Sequence, residues 1–273
     1  MPRARVGQLQ MYYELDGEGV PVVLIAGLTC DHTAWTPQLP DFRAAGFRCL
    51  AFDNRDVGQT DQSAGPYTIR DVAADTIGLM NELDLPTAHI VGASMGGMIA
   101  EELTLAHPDR VRSLTLVCTT AATDATLAAV VRAWRVLRPA VSPVELLVTI
   151  SPWLFTYRSY AQADQMESFL QLARDNPFPQ TPDGFRRQCD AILIHDAARR
   201  LGAVRAPTHV IVGAEDVLTP PRCSRELAQM IPGAKLTEAP AAGHGLFWEA
   251  VPVFNRAVID FIENVERGPA TRR

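Results

Sequence analysis

The chain has 273 residues, of which 47% are apolar and 21% charged, with a net charge of −6. That is enough material for one large α/β domain with a sizeable core. The acidic balance argues against a nucleic-acid groove and an anionic membrane surface as partners. Five cysteines (Cys30, Cys49, Cys118, Cys189 and Cys223) are scattered without metal-like spacing, so reduced thiols and a cytoplasmic location are expected. The first residues carry charge but no apolar core, so no signal peptide is expected. No apolar run approaches the ~20 residues that span a bilayer.

In chain order, Gln8–Leu15 reads as an edge strand with Asp16-Gly17-Glu18-Gly19 as its turn. Strand and helix patterns then alternate. Strands are predicted at Val22–Ala26, Cys49–Asp53, Ala88–Val91 and Ser113–Val117. Helices are predicted near Leu39–Ala45, over Ile69–Leu83, and from Met98 to about His107. This alternation predicts a mostly parallel sheet covered by helices on both faces. From Thr119 to Arg205 the pattern changes to helical stretches rich in Ala, Arg and Leu, punctuated by prolines. Residues 119–205 are therefore expected to form a helical cap inserted between core strands, with 1–118 and 206–273 as the core. The sheet resumes at Thr208–Gly213 and ends at Lys235–Ala239. A last helix is predicted from Trp248 to about Glu266, and a frayed tail from Gly268 to Arg273.

The segment with most chemical content is Gly92-Ala93-Ser94-Met95-Gly96, a G-x-S-x-G pattern between a strand and a helix. In that context the serine sits on a tight, strained turn with its hydroxyl exposed. The helix behind it offers free N–H groups to an oxyanion. A serine hydroxyl is a weak nucleophile at neutral pH and needs a base, which in turn needs an orienting group. Both follow in chain order. Asp216 lies just past the strand Thr208–Gly213, and its spacing from Gly213 favours it over Glu215. His244 lies between two glycines after the last strand. Of the six histidines, His32 and His195 remain alternatives, but neither follows the terminal strand.

These residues carry a resemblance to the α/β-hydrolase superfamily over nearly the whole chain. The stretch Val22–Leu28 resembles the strand leading into the family's oxyanion loop, with Ala26-Gly27 where His-Gly is common. Asp53–Thr60 is similar to the family's D-x-R-G-x-G-x-S stretch, with Asp56 in place of Gly and Thr60 in place of Ser. Within the superfamily, Trp35-Thr36-Pro37-Gln38-Leu39-Pro40 and Gly65-Pro66-Tyr67-Thr68 resemble bacterial 3-oxoadipate enol-lactonases, related carboxylesterases and antibiotic methylesterases. The resemblance implies an α/β-hydrolase fold and a Ser94–His244–Asp216 triad. The main-chain N–H groups of Leu28 and Met95 would form the oxyanion hole, because such a hole needs only backbone donors.

The expected reaction is acyl transfer from a small carboxylic ester or lactone to water, without metal or organic cofactor. The expected partner is that small molecule, not nucleic acid or membrane, and homo-oligomerisation is left open. The same triad also serves C–C hydrolases, lyases, perhydrolases and slow-turnover receptors. In the cap, aromatics such as Trp134, Trp153, Phe155 and Phe169 either line an acyl pocket or pack the cap onto the core. The arginines at 132, 135, 138, 158, 186 and 187 either bind a substrate carboxylate or cover solvated helix faces.

Overall fold

A computed structural model describes residues 2–268; residues 269–273 of the expected frayed tail lie outside the described residues. Eight strands form one sheet in the order β1-β2-β4-β3-β5-β6-β7-β8. They are β1 (Arg3–Val6), β2 (Leu9–Asp16), β3 (Val20–Ile25), β4 (Phe47–Phe52), β5 (Ala88–Ala93), β6 (Val111–Val117), β7 (Thr208–Gly213) and β8 (Lys235–Ala239). The β1–β2 and β2–β4 pairs are antiparallel and the rest parallel. The central strand β5 is buried at every residue, as a parallel strand covered on both faces should be.

The strand at Gln8–Leu15 is not the edge. Arg3–Val6 pairs outside it through a tight turn in which Gly7 takes φ +58°. This four-residue strand turns Arg3 and Arg5 outward and Ala4 and Val6 inward. Two arginines in four residues hide it in a hydropathy reading, and the same charges blunt the sheet edge.

Alternation along β3 sends Val23 and Ile25 to one face of the sheet and Val22 and Leu24 to the other. On the first face pack α2 (Ile69–Glu82) and α3 (Met95–Ala106). On the second, α1 (Leu39–Ala44) and the C-terminal helices contribute Phe42, Phe254, Val258 and Ile262. Helix α2 starts at Thr68, which accepts from the Asp71 N–H while the Asp71 carboxylate accepts from the Thr68 N–H, a capping box.

Between β6 and β7 come α4 (Ala125–Leu137), α5 (Pro143–Leu154), α6 (Tyr157–Tyr160), α7 (Ala163–Asp175) and α8 (Pro182–Leu193). Asp124, Ser142 and Thr181 cap α4, α5 and α8, with Pro143 and Pro182 at the helix starts where a missing N–H costs nothing. The outgoing and returning limbs of this insertion lie side by side, with an isolated bridge between Ala122 and Asp196 and the Ala197 N–H donating to the Ala121 carbonyl. Asp56, which stands where the resembled pattern has glycine, adopts the left-handed φ of +69°. Its buried carboxylate accepts two bonds from Arg187 of α8, at 2.9 and 2.6 Å. The departure from glycine thus supplies an anchor between core and insertion.

After β7 follow α9 (Pro221–Met230), β8, α10 (Leu246–Glu249) and α11 (Val251–Arg267). The single last helix predicted from Trp248 is therefore two helices broken at Ala250. Pro252 has no N–H to give the Trp248 carbonyl, and its ring would clash there if one helix ran through. No helix among the described residues is long and apolar enough to cross a membrane.

Candidate active site

The strand order reverses direction at β3, which has β4 on one side and β5 on the other. At such a switch point the loops leaving two neighbouring strands diverge and open a crevice at their carboxyl ends. The loops after β3 and β5 are Gly27–Cys30 and the turn at Ser94.

Ser94 has φ +56° and ψ −120°, a strained conformation for a residue with a side chain. The turn is held by the Ser94 N–H donating to the Val117 carbonyl at 2.9 Å. The Ser94 carbonyl accepts from the Gly97 N–H and from Thr119 Oγ1. A Cβ on Gly92 would fall 2.2 Å from the Gly96 carbonyl oxygen, and one on Gly96 would fall 2.0 Å from the Ile25 carbonyl oxygen. Both positions must be glycine for strand, turn and helix to cross this closely.

Asp216 lies in the turn after β7, buried, and every oxygen is engaged. Oδ1 accepts from the N–H groups of Leu218 and Thr219 at 2.8 and 2.9 Å. Oδ2 accepts from Thr219 Oγ1 at 2.9 Å and lies 2.9 Å from His244 Nδ1. Thr219 Oγ1 is also 3.2 Å from His244 Nδ1. With Nδ1 directed at the carboxylate, Nε2 is the ring nitrogen left for proton transfer. The loop carrying His244 is pinned on both sides. The Gly243 N–H donates to Glu249 Oε2 at 2.6 Å and the Gly245 N–H to the Leu154 carbonyl at 2.7 Å. Glu249 Oε1 accepts from the Thr156 N–H and hydroxyl and from Ser159 Oγ, which ties the histidine loop to the insertion.

Ser94 and His244 line one cavity of about 150 Å³, together with Gly27, Leu28 and Thr29. Thr29, at φ +63°, gives its N–H to Gln188 Oε1 at 3.1 Å. Met95 is the first residue of α3, so its N–H has no acceptor within the helix, while its side chain is buried in the core. Of the alternative histidines, His32 is bonded to Asp53 at 2.7 Å and His195 to Glu101 at 3.2 Å.

Two groups of potential metal ligands stand close together, Cys118–Asp216–His244 and Asp31–His32–Asp53. Burial, reinforced by Asp216, pushes the Cys118 thiol well above its ordinary range, and in the same group His244 Nδ1 is already bonded to Asp216 Oδ2. In the second group the Asp53 carboxylate already accepts from the His32 N–H and the Gln59 N–H.

The insertion's aromatics divide. Trp134 and Phe169 line the cavity. Trp153 packs edge-on against Trp134 at 5.8 Å, and Phe155 against Phe169 at 4.7 Å, as a second layer. Tyr157, Tyr160 and Phe178 are exposed. The segment Trp35–Gln38 also acquires a role: Trp35 stacks on Phe247, and Gln38 Nε2 donates to the Phe247 carbonyl at 2.7 Å. The sequence reading did not single out Thr219, Glu249 or Thr119. The first was legible as Asp216-x-x-Thr219, a spacing at which a hydroxyl can reach back to the carboxylate.

Residues 20–251 match the alpha/beta hydrolase fold family. The chain is 34% identical to BpoC of Mycobacterium tuberculosis, named as a non-heme bromoperoxidase, over 94% of this chain and 99% of that one. It is 30% identical to RutD of Azorhizobium caulinodans, named as a carbamate hydrolase, over 98% and 100%. The solved enol-lactonase of Burkholderia xenovorans LB400 superposes with a TM-score of 0.88 at 30% identity, covering 96% of this chain and all of that one. With the serine turn, the buried carboxylate–imidazole pair and the eight-stranded sheet in place, the chain belongs to the alpha/beta hydrolase family.

Proposed function

We propose that this chain hydrolyses a small carboxylic ester or lactone through an acyl-enzyme, with Ser94 as nucleophile. The observation that carries this reading is that the strained Ser94 turn and His244, itself bonded to Asp216 at 2.9 Å, line one small cavity. Ser94 Oγ bonds to the carbonyl carbon while its proton passes to His244 Nε2. Asp216 holds the tautomer and stabilises the imidazolium. The N–H groups of Leu28 and Met95 receive the oxyanion; losing one such donor typically costs ~3 kcal/mol of transition-state stabilisation. The tetrahedral intermediate then collapses, and the leaving oxygen departs with the proton from His244. Water, deprotonated by His244, releases the acid and restores Ser94. The small cavity and the aromatic insertion above it suit a small molecule rather than a polymer or a lipid interface.

The relative named as a non-heme bromoperoxidase supports a second reading, in which hydrogen peroxide replaces water in the deacylation step. The test is one experiment with several arms. p-Nitrophenyl esters of graded chain length and a few lactones are assayed on wild type and Ser94→Ala, and a fluorophosphonate probe is used on both. Turnover of short esters, lost in Ser94→Ala together with labelling, is the expected result. Labelling of Ser94→Ala at the wild-type level would sink the nucleophile assignment. A peracid product formed in peroxide faster than ester hydrolysis would move the assignment to the second reading.

A further inference from the structure

The loop that carries Leu28 is a turn with an unfavourable residue in it. The Cys30 N–H donates to the Gly27 carbonyl at 3.3 Å, which closes Gly27-Leu28-Thr29-Cys30 as a β-turn. Thr29, the third residue, takes φ +63°, while Leu28 keeps a negative φ. That combination defines a type II turn, whose third position favours glycine because a side chain crowds the backbone there. Threonine, branched at Cβ, suits a type I turn better, in which the Leu28–Thr29 peptide is turned over. The turn lies against the nucleophile: a Cβ on Gly27 would fall 3.2 Å from Ser94 Cβ. Its ends are fixed from the core. Asn54 Nδ2 donates to the Ala26 carbonyl at 3.2 Å, and the His32 N–H donates to Asp53 Oδ1 at 2.8 Å. A change of turn type between those ends has to be absorbed at Leu28 and Thr29.

What meets the central peptide comes from the insertion. Gln188 of α8 is completely buried, in a helix stripe shared with Phe185 and Ile192. For packing alone a leucine would serve there. Instead the side-chain amide bonds to three neighbours. Its Oε1 accepts from the Thr29 N–H at 3.1 Å and from Gln180 Nε2 at 2.9 Å, and its Nε2 donates to the Arg55 carbonyl at 3.4 Å. These contacts fix which end of the amide faces Thr29. Among the described residues no other side chain bonds to a main-chain group of Leu28, Thr29 or Cys30. Without Oε1 the Thr29 N–H would be left without its acceptor in a half-buried site, and nothing would oppose the threonine's preference for the other turn type. Gln180 also lines the cavity, which puts the cavity wall two hydrogen bonds from this turn.

We propose that Gln188 is a positioning residue of the oxyanion hole: its amide oxygen holds the Leu28–Thr29 peptide in the type II orientation and so keeps the Leu28 N–H in place beside Ser94. This rests on the proposed acyl transfer at Ser94 and adds that a residue of the insertion sets the geometry of the transition state. Gln188 touches no reacting atom. It acts only through the turn, and the turn needs it only because residue 29 carries a side chain.

The test is a double-mutant cycle between Gln188→Leu and Thr29→Gly. Glycine adopts a left-handed φ without steric cost, so in its background the turn no longer depends on Gln188. With p-nitrophenyl butyrate, Gln188→Leu alone is expected to lower kcat and kcat/KM together by about thirtyfold, with KM within about twofold. That is less than the roughly 10²–10³ that follows outright loss of an oxyanion donor, because the Leu28 N–H is displaced and not removed. In the Thr29→Gly background the same substitution should cost about threefold or less. The rate of Ser94 labelling by a fluorophosphonate, whose phosphonyl oxygen enters the same hole, should follow the same two ratios. An effect of Gln188→Leu that is equal in both backgrounds overturns the proposal, as does an unchanged kcat in the folded single variant or a loss confined to KM. If Gln188→Leu does not fold alone, Gln180→Leu keeps Gln188 and removes one contact that orients its amide. It should slow labelling by about threefold to tenfold, and Thr29→Gly should erase that effect; persistence of the effect counts against the proposal. Ester turnover by wild type with no dependence on Gln188 defeats the positioning role and leaves the ester reading standing. No ester turnover, with labelling that depends on Gln188 unless residue 29 is glycine, defeats the ester reading and leaves the positioning role.

Discussion

The sheet and the insertion above it meet at one cavity but hold their functional groups by different means. On the sheet, Ser94, Asp216 and His244 sit in turns or loops that follow β5, β7 and β8, and main-chain hydrogen bonds fix their backbones or carboxylate. In the insertion, helices are fastened to the core by side chains: Arg187 to Asp56, Glu249 to Thr156 and Ser159, Arg200 to Glu102. Geometry set by the main chain tolerates few substitutions, whereas a side-chain fastening can be rebuilt by exchanging residues. Under the proposed function, reaction chemistry belongs to the sheet and substrate choice to the insertion, and substitutions on either side can break that division.

The largest effect is expected at the sheet edge. Ser94→Ala should lower kcat/KM by about 10⁴-fold or more while leaving the denaturation midpoint close to wild type. An activity loss matched by a loss of folding would mean that the turn had failed rather than the nucleophile. Glu249→Ala comes next, because it removes the acceptor of the Gly243 N–H and the tie from the histidine loop to Thr156 and Ser159. We expect it to destabilise by about 2–4 kcal/mol and to lower kcat without changing the ranking of ester chain lengths. A changed ranking with intact stability would show that Glu249 acts on substrate choice instead.

A third prediction concerns pH and the sheet alone. Burial pulls the pKa of His209 from 6.5 down to about 4, with Lys235 adding to the shift. The unfolded chain therefore takes up a proton that the folded chain refuses, so stability is full above about pH 6.5 and falls as pH drops towards about 4. At pH 5 the loss from this residue is about 2 kcal/mol. His209→Gln should flatten urea midpoints between pH 7 and 5; an unchanged slope would mean that other groups carry the acid sensitivity.

The smallest effect separates the two aromatic layers of the insertion. Phe169→Ala, which opens the cavity wall, should shift relative kcat/KM across ester chain lengths by about fivefold to tenfold. Phe155→Ala, one layer behind, should cost stability more than it shifts that ranking. Equal shifts would erase the distinction between lining and support.

How much was legible follows the same division. The sheet reads well because a buried parallel strand is a continuous apolar run, and β5 with its glycine-flanked serine leaves few other foldings. Asp216 and His244 were legible from their places after the last two strands. The insertion read poorly because its prolines and capping residues mark helix ends but not which faces meet the cavity. Arg138 is the instructive case. Its place one turn beyond Trp134 is visible in the sequence, but its burial at the cavity wall, which sets it apart from the exposed Arg132 and from the four arginines paired with carboxylates, is visible only in space. β1 escaped because its outward arginines mask a strand of four residues.

The side-by-side limbs at Ala122 and Asp196 have a consequence for how such a molecule can diversify. Because the insertion leaves and rejoins the core at adjacent points, its ends are spaced as a short loop's ends would be. The core then pays little chain entropy for whatever lies between them, since the closure cost grows only slowly with length. Lengthening, shortening or exchanging the whole helical segment leaves the β6–β7 register from Leu114↔Thr208 to Val117↔Ile211 untouched. A lineage can therefore test new lids over an old reaction centre by recombination at two neighbouring sites, without re-solving the problem of folding the sheet.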